Sequence, residues 1–81
     1  MEIIKSEEVT KVLESLNIRD DAVTEVIGEA ENTGKNKFYH PETGQFLASK
    51  RIGEATYWVL YSPHGSGYVI HTAYWHKSEL S

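Results

Sequence analysis

The segments Thr56-Tyr-Trp-Val-Leu-Tyr61 and Tyr68-Val-Ile-His-Thr-Ala-Tyr-Trp-His76 decide the fold of this 81-residue chain. Both are rich in tyrosine, tryptophan and valine, which favour β-strands. The intervening Ser62-Pro-His-Gly-Ser-Gly67 holds turn-forming residues, so we predict a β-hairpin whose loop spans residues 62–67. Every aromatic residue and every histidine lies between Phe38 and His76. A functional surface should therefore be sought in this half of the chain.

Two shorter strands are predicted before this hairpin. They are Phe38–His40 and Gln45–Ala48, and they flank a Pro41-Glu-Thr-Gly44 turn. Proline presets φ for such a turn, and glycine can take a positive φ at its end. Ile52-Gly-Glu54 marks a bend before the long strands. Four strands joined by short connections predict an antiparallel meander.

The first 34 residues show helical periodicity instead. Apolar residues recur at a spacing of three and four along two stretches. These are Val9, Val12, Leu13 and Leu16, then Val23, Val26, Ile27 and Ala30. Ser6 is the predicted N-cap of the first helix, and Asp20 and Asp21 are expected to cap the second. Asn17 and Gly34 can end the two helices in the left-handed conformation.

Together these elements predict an α+β fold: two N-terminal amphipathic helices in a helical hairpin, followed by a four-stranded antiparallel β-meander, with the helices packed on one sheet face. We expect a single domain over residues 1–81, because a chain this short supports only one core. Gly28 lies inside the second predicted helix, where glycine costs about 1 kcal/mol relative to alanine. We interpret it as a point of close packing.

The charge of the chain is uneven. Residues 1–37 hold nine of the twelve acidic residues against five bases, whereas residues 38–81 hold three of each and four histidines. The net charge of −4 argues against a nucleic-acid partner, because phosphates would be repelled. There is no cysteine, no apolar run near twenty residues and no signal-peptide pattern in residues 1–5. We expect a cytoplasmic protein without a membrane span.

No cofactor or metal site is predicted. His71 and His76 are five residues apart, so they would lie on opposite faces of a straight strand, and no cysteine is present to complete a site. The glycines of the 62–67 loop are explained by a hairpin turn, since a phosphate-binding loop would lead into a helix N-terminus.

The aromatic hairpin carries the functional prediction. If Tyr61 lies opposite Tyr68, one face carries Tyr57, Val59, Tyr61, Tyr68, Ile70 and Tyr74, and the other carries Thr56, Trp58, Leu60, Val69, His71, Ala73 and Trp75. Two helices can cover only one of these apolar faces. The uncovered face then contacts a partner, unless the aromatic residues reflect strand propensity alone.

We therefore predict a small binding or accessory-subunit domain that acts through an aromatic sheet surface, in a homo-oligomer or a larger complex with a protein partner. The predicted binding residues are Tyr57, Trp58, Tyr61, Tyr68, His71, Tyr74 and Trp75. The closing segment, residues 74–80, is expected to extend this surface. The sequence favours binding over catalysis.

An enzymatic alternative rests on architecture. From residue 6 to residue 76, the order of helices and strands resembles that of metal-independent endoribonucleases of the barnase, EndoU, colicin and RelE group. The resemblance implies RNA cleavage by scattered side chains on the sheet. His71 or His76 would be the general acid or base, Glu54 a base, and Lys50 with Arg51 would stabilise the phosphorane oxygens. Lys50 and Arg51 are adjacent, however, and should point to opposite faces of a regular strand.

Overall fold

A computed structural model of the chain describes residues 1–77. Its elements are β1 (Ile3–Lys5), α1 (Glu7–Ser15), α2 (Asp20–Thr33), β2 (Lys37–His40), β3 (Gln45–Ile52), β4 (Ala55–His64) and β5 (Gly67–Lys77). The strands form one sheet in the order β1-β5-β4-β3-β2. The α+β fold and the packing of both helices on the sheet are confirmed.

The prediction of four antiparallel strands is wrong, because the sheet has five strands and is mixed. Residues Ile3–Lys5 form β1, which pairs in parallel with Tyr68–Ile70 of β5. The backbone N–H of Tyr68 also donates to the carbonyl of Glu2 at 3.0 Å. This pairing joins residues about 65 positions apart in the chain, so no local turn signal announces it. The four predicted strands are β2–β5, and they do form an antiparallel meander.

Both helices begin and end close to the predicted residues. Ser6 caps α1, and its hydroxyl accepts a hydrogen bond from the N–H of Val9 at 3.1 Å. Asn17 takes a φ of 57° after α1, and Gly34 takes 72° after α2. The predicted cap of α2 is wrong by one residue. Arg19 is the N-cap without a side-chain bond, and the two aspartates form the first turn, where their charge favours the helix dipole.

The register of the β4–β5 hairpin differs from the prediction in two ways. The strands extend to His64 and Gly67, so the loop is only Gly65-Ser66, and Gly65 takes a φ of 60°. A positive φ at the first of two loop residues is typical of a type II′ turn, which suits the twist of a hairpin. Pro63 lies within β4. It is tolerated there because the pairing of β4 with β3 stops at Tyr61, so β3 does not need the N–H that Pro63 lacks.

The second difference is a β-bulge in β5. Tyr61 pairs with Ile70, but Leu60 pairs with Thr72, which leaves His71 as the extra residue. One extra residue turns every later side chain of β5 to the other face. Trp58 therefore pairs with Tyr74, not with His71 as predicted. The predicted face assignments are wrong beyond the bulge: Ala73 and Trp75 lie on the helix side and Tyr74 on the opposite side.

The core lies between the helices and one face of the sheet. Its largest fully buried side chains are Leu13, Val23, Val26, Ile27, Val59, Tyr61 and Ile70. The apolar stripes of both helices supply the helical half, as their spacing predicted. Gly28 does not pack closely: a Cβ there would meet only the Cε of Met1 at 3.8 Å. The close approach occurs at Gly67, where a Cβ would lie 2.6 Å from the carbonyl oxygen of Glu2.

Candidate binding face

The strand side chains that point away from the helices form what we call the open face. Strand pairing defines it: Trp58 lies between Ser49 and Tyr74, and alternate residues along each strand share that side. Its apolar and aromatic members are Ile4, Phe38, Leu47, Trp58, Leu60, Val69 and Tyr74. Within residues 1–77 no helix covers this side, because α1 and α2 both pack on the opposite face.

Several large side chains of the open face remain in contact with solvent. Phe38 is 55% exposed, Tyr74 44% and Ile4 37%. Leu47 and Leu60 are half-buried between them. Isolated exposed apolar residues are ordinary on protein surfaces, but a group spread over five adjacent strands forms a patch, and patches of this kind mark interaction surfaces.

Trp58 is the centre of an aromatic cluster on this face. Its ring lies 6.1 Å from that of Tyr74 at an interplanar angle of 11°, and 6.3 Å from the imidazole of His76 at 24°. Within residues 1–77 the indole N–H of Trp58 is shielded from solvent and has no acceptor. An unpaired buried donor costs about 1–3 kcal/mol.

The distribution of charge separates the two faces of the sheet. None of the five strands contains an aspartate or a glutamate. Three strand lysines instead turn toward the acidic residues of α2. Lys5 contacts Asp20 at 2.7 Å, Lys37 contacts Glu31 at 2.6 Å, and Lys50 contacts Glu25 at 3.1 Å. These three lysines therefore form ion pairs on the helix side of the sheet. Arg51, His71 and His76 lie on the open face.

A hydrogen-bonded group on the helix side fixes the middle of the sheet. The hydroxyl of Tyr61 donates to the carboxylate of Glu31 at 2.6 Å, and Lys37 contacts the same carboxylate oxygen. Burial alone would raise the pKa of Glu31, but the bonds from Lys37 and Tyr61 outweigh burial and hold the pKa below its usual value of 4.5. Burial, followed by the Glu31 carboxylate, raises the pKa of Tyr61. Tyr61 is therefore a core residue and not part of a binding surface.

The predicted binding residues are divided between the two faces. Trp58 and Tyr74 lie together on the open face, and His71 joins them through the bulge. The predicted Tyr57, Tyr61, Tyr68 and Trp75 lie on the helix side. Tyr61 is fully buried, and the indole N–H of Trp75 donates to the carbonyl of Leu16 at 2.7 Å. Residues 78–80 of the expected surface extension lie outside the described residues.

The bulge also changes the relation between the two histidines. His71 and His76 both lie on the open face, not on opposite faces. The Nε2 atom of His71 is 2.8 Å from the hydroxyl of Ser62, and the imidazole of His76 stacks on Trp58. Four strand steps separate Thr72 from His76, about 13 Å at 3.3 Å per residue, and His71 lies beyond Thr72. The two rings thus belong to different parts of the face.

The five nuclease candidates are divided between the two faces of the sheet and the β3–β4 turn. Lys50 lies on the helix side, where its hydrogen bond with Glu25 raises the pKa of the ammonium group. The side chain of Arg51 donates to the carbonyl of Gly53 at 3.1 Å on the other side of the strand. Glu54 lies in the exposed β3–β4 turn. Arg51 and His76 lie on either side of Thr56 on the open face, whereas Lys50 lies on the opposite face and His71 beyond the far end of this segment, so the five residues do not form one group.

A shallow cleft of about 460 Å³ adjoins the open face at the β2–β3 turn. Its lining consists of His40, Pro41, Glu42, Thr43, Gln45 and Leu60. The turn is held by hydrogen bonds from the N–H groups of Thr43 and Gly44 to the carbonyl of His40. The cleft is large enough to receive a side chain of a bound protein, and such pockets anchor interfaces.

Sequence reasoning missed several members of the open face. Phe38, Leu47 and the cleft residues other than Leu60 belong to β2, β3 and their turn, which were predicted as elements but not as part of the surface. Strict alternation outward from Trp58 would have identified Leu47 and Phe38, since they pair across successive strands. Ile4 had no such signal, because β1 itself was not predicted.

Among residues 1–77, no group of three or more histidine, aspartate or glutamate side chains is placed to hold a metal ion. Neither described helix has the length and apolar character needed to cross a membrane. Comparisons of this chain with protein-family models, with curated proteins and with solved structures found no match.

Proposed function

We propose that this chain is a small cytoplasmic binding domain that acts as an accessory subunit and contacts its protein partner through the open face. One observation carries the proposal: the open face combines exposed aromatic and apolar side chains with Arg51 and histidines, and the strands that form it contain no carboxylate. Protein interfaces are enriched in aromatic residues and arginine and depleted in acidic residues and lysine at their centres.

Strand propensity is the competing explanation for the aromatic residues. It accounts for tyrosine and tryptophan in β4 and β5, but it does not account for the distribution of lysines. Lys5, Lys37 and Lys50 all lie on the helix side, where acidic side chains meet them. Propensity acts equally on both faces of a strand, so the difference between the faces supports a binding role.

The same charges indicate what kind of protein the partner is. A second copy stacked face to face would bring a second Arg51 into the interface, and the strands of neither copy supply a carboxylate to pair with it. Like charges brought into an interface are costly. The open face is therefore better suited to a different protein, one with carboxylates around an apolar centre.

Phe38 and Tyr39 offer a matched test. They are adjacent in β2 and equally exposed, at 55% and 56%, but Phe38 lies on the open face and Tyr39 on the helix side beside Phe46. A photo-reactive phenylalanine analogue at position 38 should form an adduct of defined mass in extracts of the source cells. The analogue at position 39 should not.

Competition completes this test. Excess unlabelled protein should suppress the adduct at position 38, and the same protein carrying Tyr74→Asp should not, because a carboxylate at the centre of the open face repels the partner. Equal labelling from both positions, or suppression by Tyr74→Asp as strong as by the unmodified protein, would refute the open face as the binding surface.

A further inference from the structure

One row of side chains on the open face crosses three strands near the β3–β4 turn. Arg51 of β3 pairs with Thr56 of β4, and Thr56 pairs with His76 of β5. We call these three residues the basic row. It lies next to the aromatic cluster, since the imidazole of His76 stacks on the ring of Trp58 at 6.3 Å. A guanidinium and an imidazole therefore lie on either side of Thr56, beside exposed aromatic surface.

Arg51 differs from the other basic residues of the sheet. Three strand lysines form ion pairs with helix carboxylates, and Lys77 pairs across the strands with Ala55 on the helix side. Arg51 is thus the one strand residue with a permanent charge on the open face. Glu54 lies in the adjacent turn, but no ion pair within residues 1–77 joins it or any other carboxylate to Arg51. The described chain supplies no counter-ion for this charge.

The guanidinium of Arg51 is tied down at one nitrogen. Its Nε–H donates to the carbonyl of Gly53 at 3.1 Å, which links the side chain to the β3–β4 turn. A guanidinium has five N–H donors, so this bond leaves the four donors of the two Nη atoms for a ligand. Arg51 and His76 are both exposed. A side chain that is already held loses less conformational entropy when it binds, which favours recognition.

We propose that Arg51 and His76 bind one carboxylate of the partner protein, from an aspartate or glutamate next to an apolar residue that packs on Trp58 and Tyr74. This inference rests on the proposed function and names the chemistry that the open face recognises. Adjacent strands lie about 4.8 Å apart, so the backbones of β3 and β5 are about 10 Å apart. Hydrogen bonds of about 2.8 Å on both sides of a carboxylate fit between two side chains at this separation.

The charge of the row favours a carboxylate over a phosphate. Arg51 supplies one permanent positive charge, which one carboxylate neutralises. A phosphorylated side chain carries about −1.5 to −2 charges at pH 7. Its second negative charge would meet no permanent positive charge on the open face, and the chain as a whole carries a net charge of −4. A singly charged side chain therefore matches the basic row better.

Short peptides test the basic row without the partner. The probe is acetyl-leucyl-glutamyl-leucine amide, and its neutral match is acetyl-leucyl-glutaminyl-leucine amide, which has nearly the same shape. In an NMR titration of the intact protein at low salt, the glutamate peptide should shift the Nε–H signal of Arg51 and the amide signal of His76. It should bind about fivefold more tightly than the glutamine peptide, which is the ratio expected for one exposed ion pair.

Three variants identify the residues responsible. Arg51→Gln should remove the preference for the glutamate peptide. The matched control is Arg19→Gln, which makes the same change of net charge at an exposed arginine that contacts Asp21. His76→Phe keeps a ring beside Trp58, removes the imidazole donor and should weaken the glutamate peptide about twofold. No binding of the glutamate peptide, equal binding of both peptides, equal effects of the two arginine variants, unchanged binding by His76→Phe, or tighter binding of the phosphoserine peptide would overturn the proposal.

The basic row and the proposed function can fail separately. At limiting protein concentration in cell extracts, Arg51→Gln should reduce the adduct at position 38 about fivefold, and Arg19→Gln should leave it unchanged. An adduct of equal yield in both variants would refute the basic row and keep the open face as the binding surface. A preference for the glutamate peptide without any adduct at position 38 would refute the proposed function and keep the carboxylate site.

Discussion

Replacing Gly67 by alanine should detach β1 from the sheet. Gly67 is buried and its φ is ordinary, so only space excludes a side chain. The new Cβ would lie 2.6 Å from the carbonyl oxygen of Glu2, which belongs to the backbone and cannot rotate away. Restoring an ordinary contact of about 3.4 Å requires β1 to move by about 0.8 Å. The hydrogen bond from Tyr68 to Glu2, now 3.0 Å, would then be broken.

The expected loss of stability follows from these contacts. Overpacking costs about 1–3 kcal/mol, and the lost hydrogen bond costs about 0.5–1.5 kcal/mol. Alanine restricts the unfolded chain, which returns about 0.4–1 kcal/mol. We expect the free energy of unfolding to fall by about 2 kcal/mol. For a domain of this size, that lowers the melting temperature by about 8–16 °C.

Chemical denaturation of Gly67→Ala, followed by circular dichroism, measures this change. Amide hydrogen exchange should also accelerate at Tyr68 and Ile70, which face β1, more than at Val59 in the centre of the sheet. Gly28→Ala is the control, because the new Cβ would meet only Met1 at 3.8 Å. The substitution also removes a glycine from the interior of a helix. That variant should be more stable by about 0.5–1 kcal/mol. A Gly67→Ala protein as stable as the unmodified chain would refute the placement of β1.

Three further predictions concern the helices and the core. Ser6→Ala removes the cap that accepts from Val9 and should lower the free energy of unfolding by about 1 kcal/mol in a denaturant titration; no change would contradict the cap. Asn17→Ala should also lower the free energy of unfolding by about 1 kcal/mol, because Asn17 has a φ of 57° that alanine adopts poorly. Asn17→Gly should be at least as stable as the unmodified protein. An alanine variant more stable than the glycine variant would exclude the left-handed conformation. Glu31 has a pKa below 4.5 in the folded state, so its ionised form stabilises the fold above pH 4.5 and this contribution is lost as pH falls through the folded pKa. Glu31→Gln should therefore be less stable at pH 7, with a difference that narrows below pH 4.5 in melting curves recorded across pH.

Much of the fold could be predicted because its signals are local. The 3.6-residue period of the apolar stripes, the Ser6 cap and the positive φ of Asn17 and Gly34 all arise within a few residues of sequence. The meander β2–β5 followed from its turn residues in the same way. The predicted 62–67 loop was wrong in length, since Ser62-Pro-His extends β4 where no neighbouring strand needs the proline N–H.

The sequence predicted where on the sheet the candidate site lies, but it did not predict which side chains belong to the open face. The aromatic hairpin pointed to the correct part of the sheet, but the bulge at His71 exchanged Tyr74 with Trp75 between the faces. A bulge has no local signature in this segment. It depends on the pairing that β5 makes with β4 on one side and β1 on the other.

The sequence by itself determined the two amphipathic helices, the Ser6 cap of the first, the antiparallel meander and the concentration of aromatic residues in β4 and β5. Only the tertiary structure decided the parallel pairing of Ile3–Lys5, the bulge, and hence which side chains belong to the open face. The physical reason is range: periodicity, capping and turns are interactions between neighbours in the chain, whereas strand register depends on contacts between residues far apart in sequence. A shift of one residue in that register moves every later side chain to the other face.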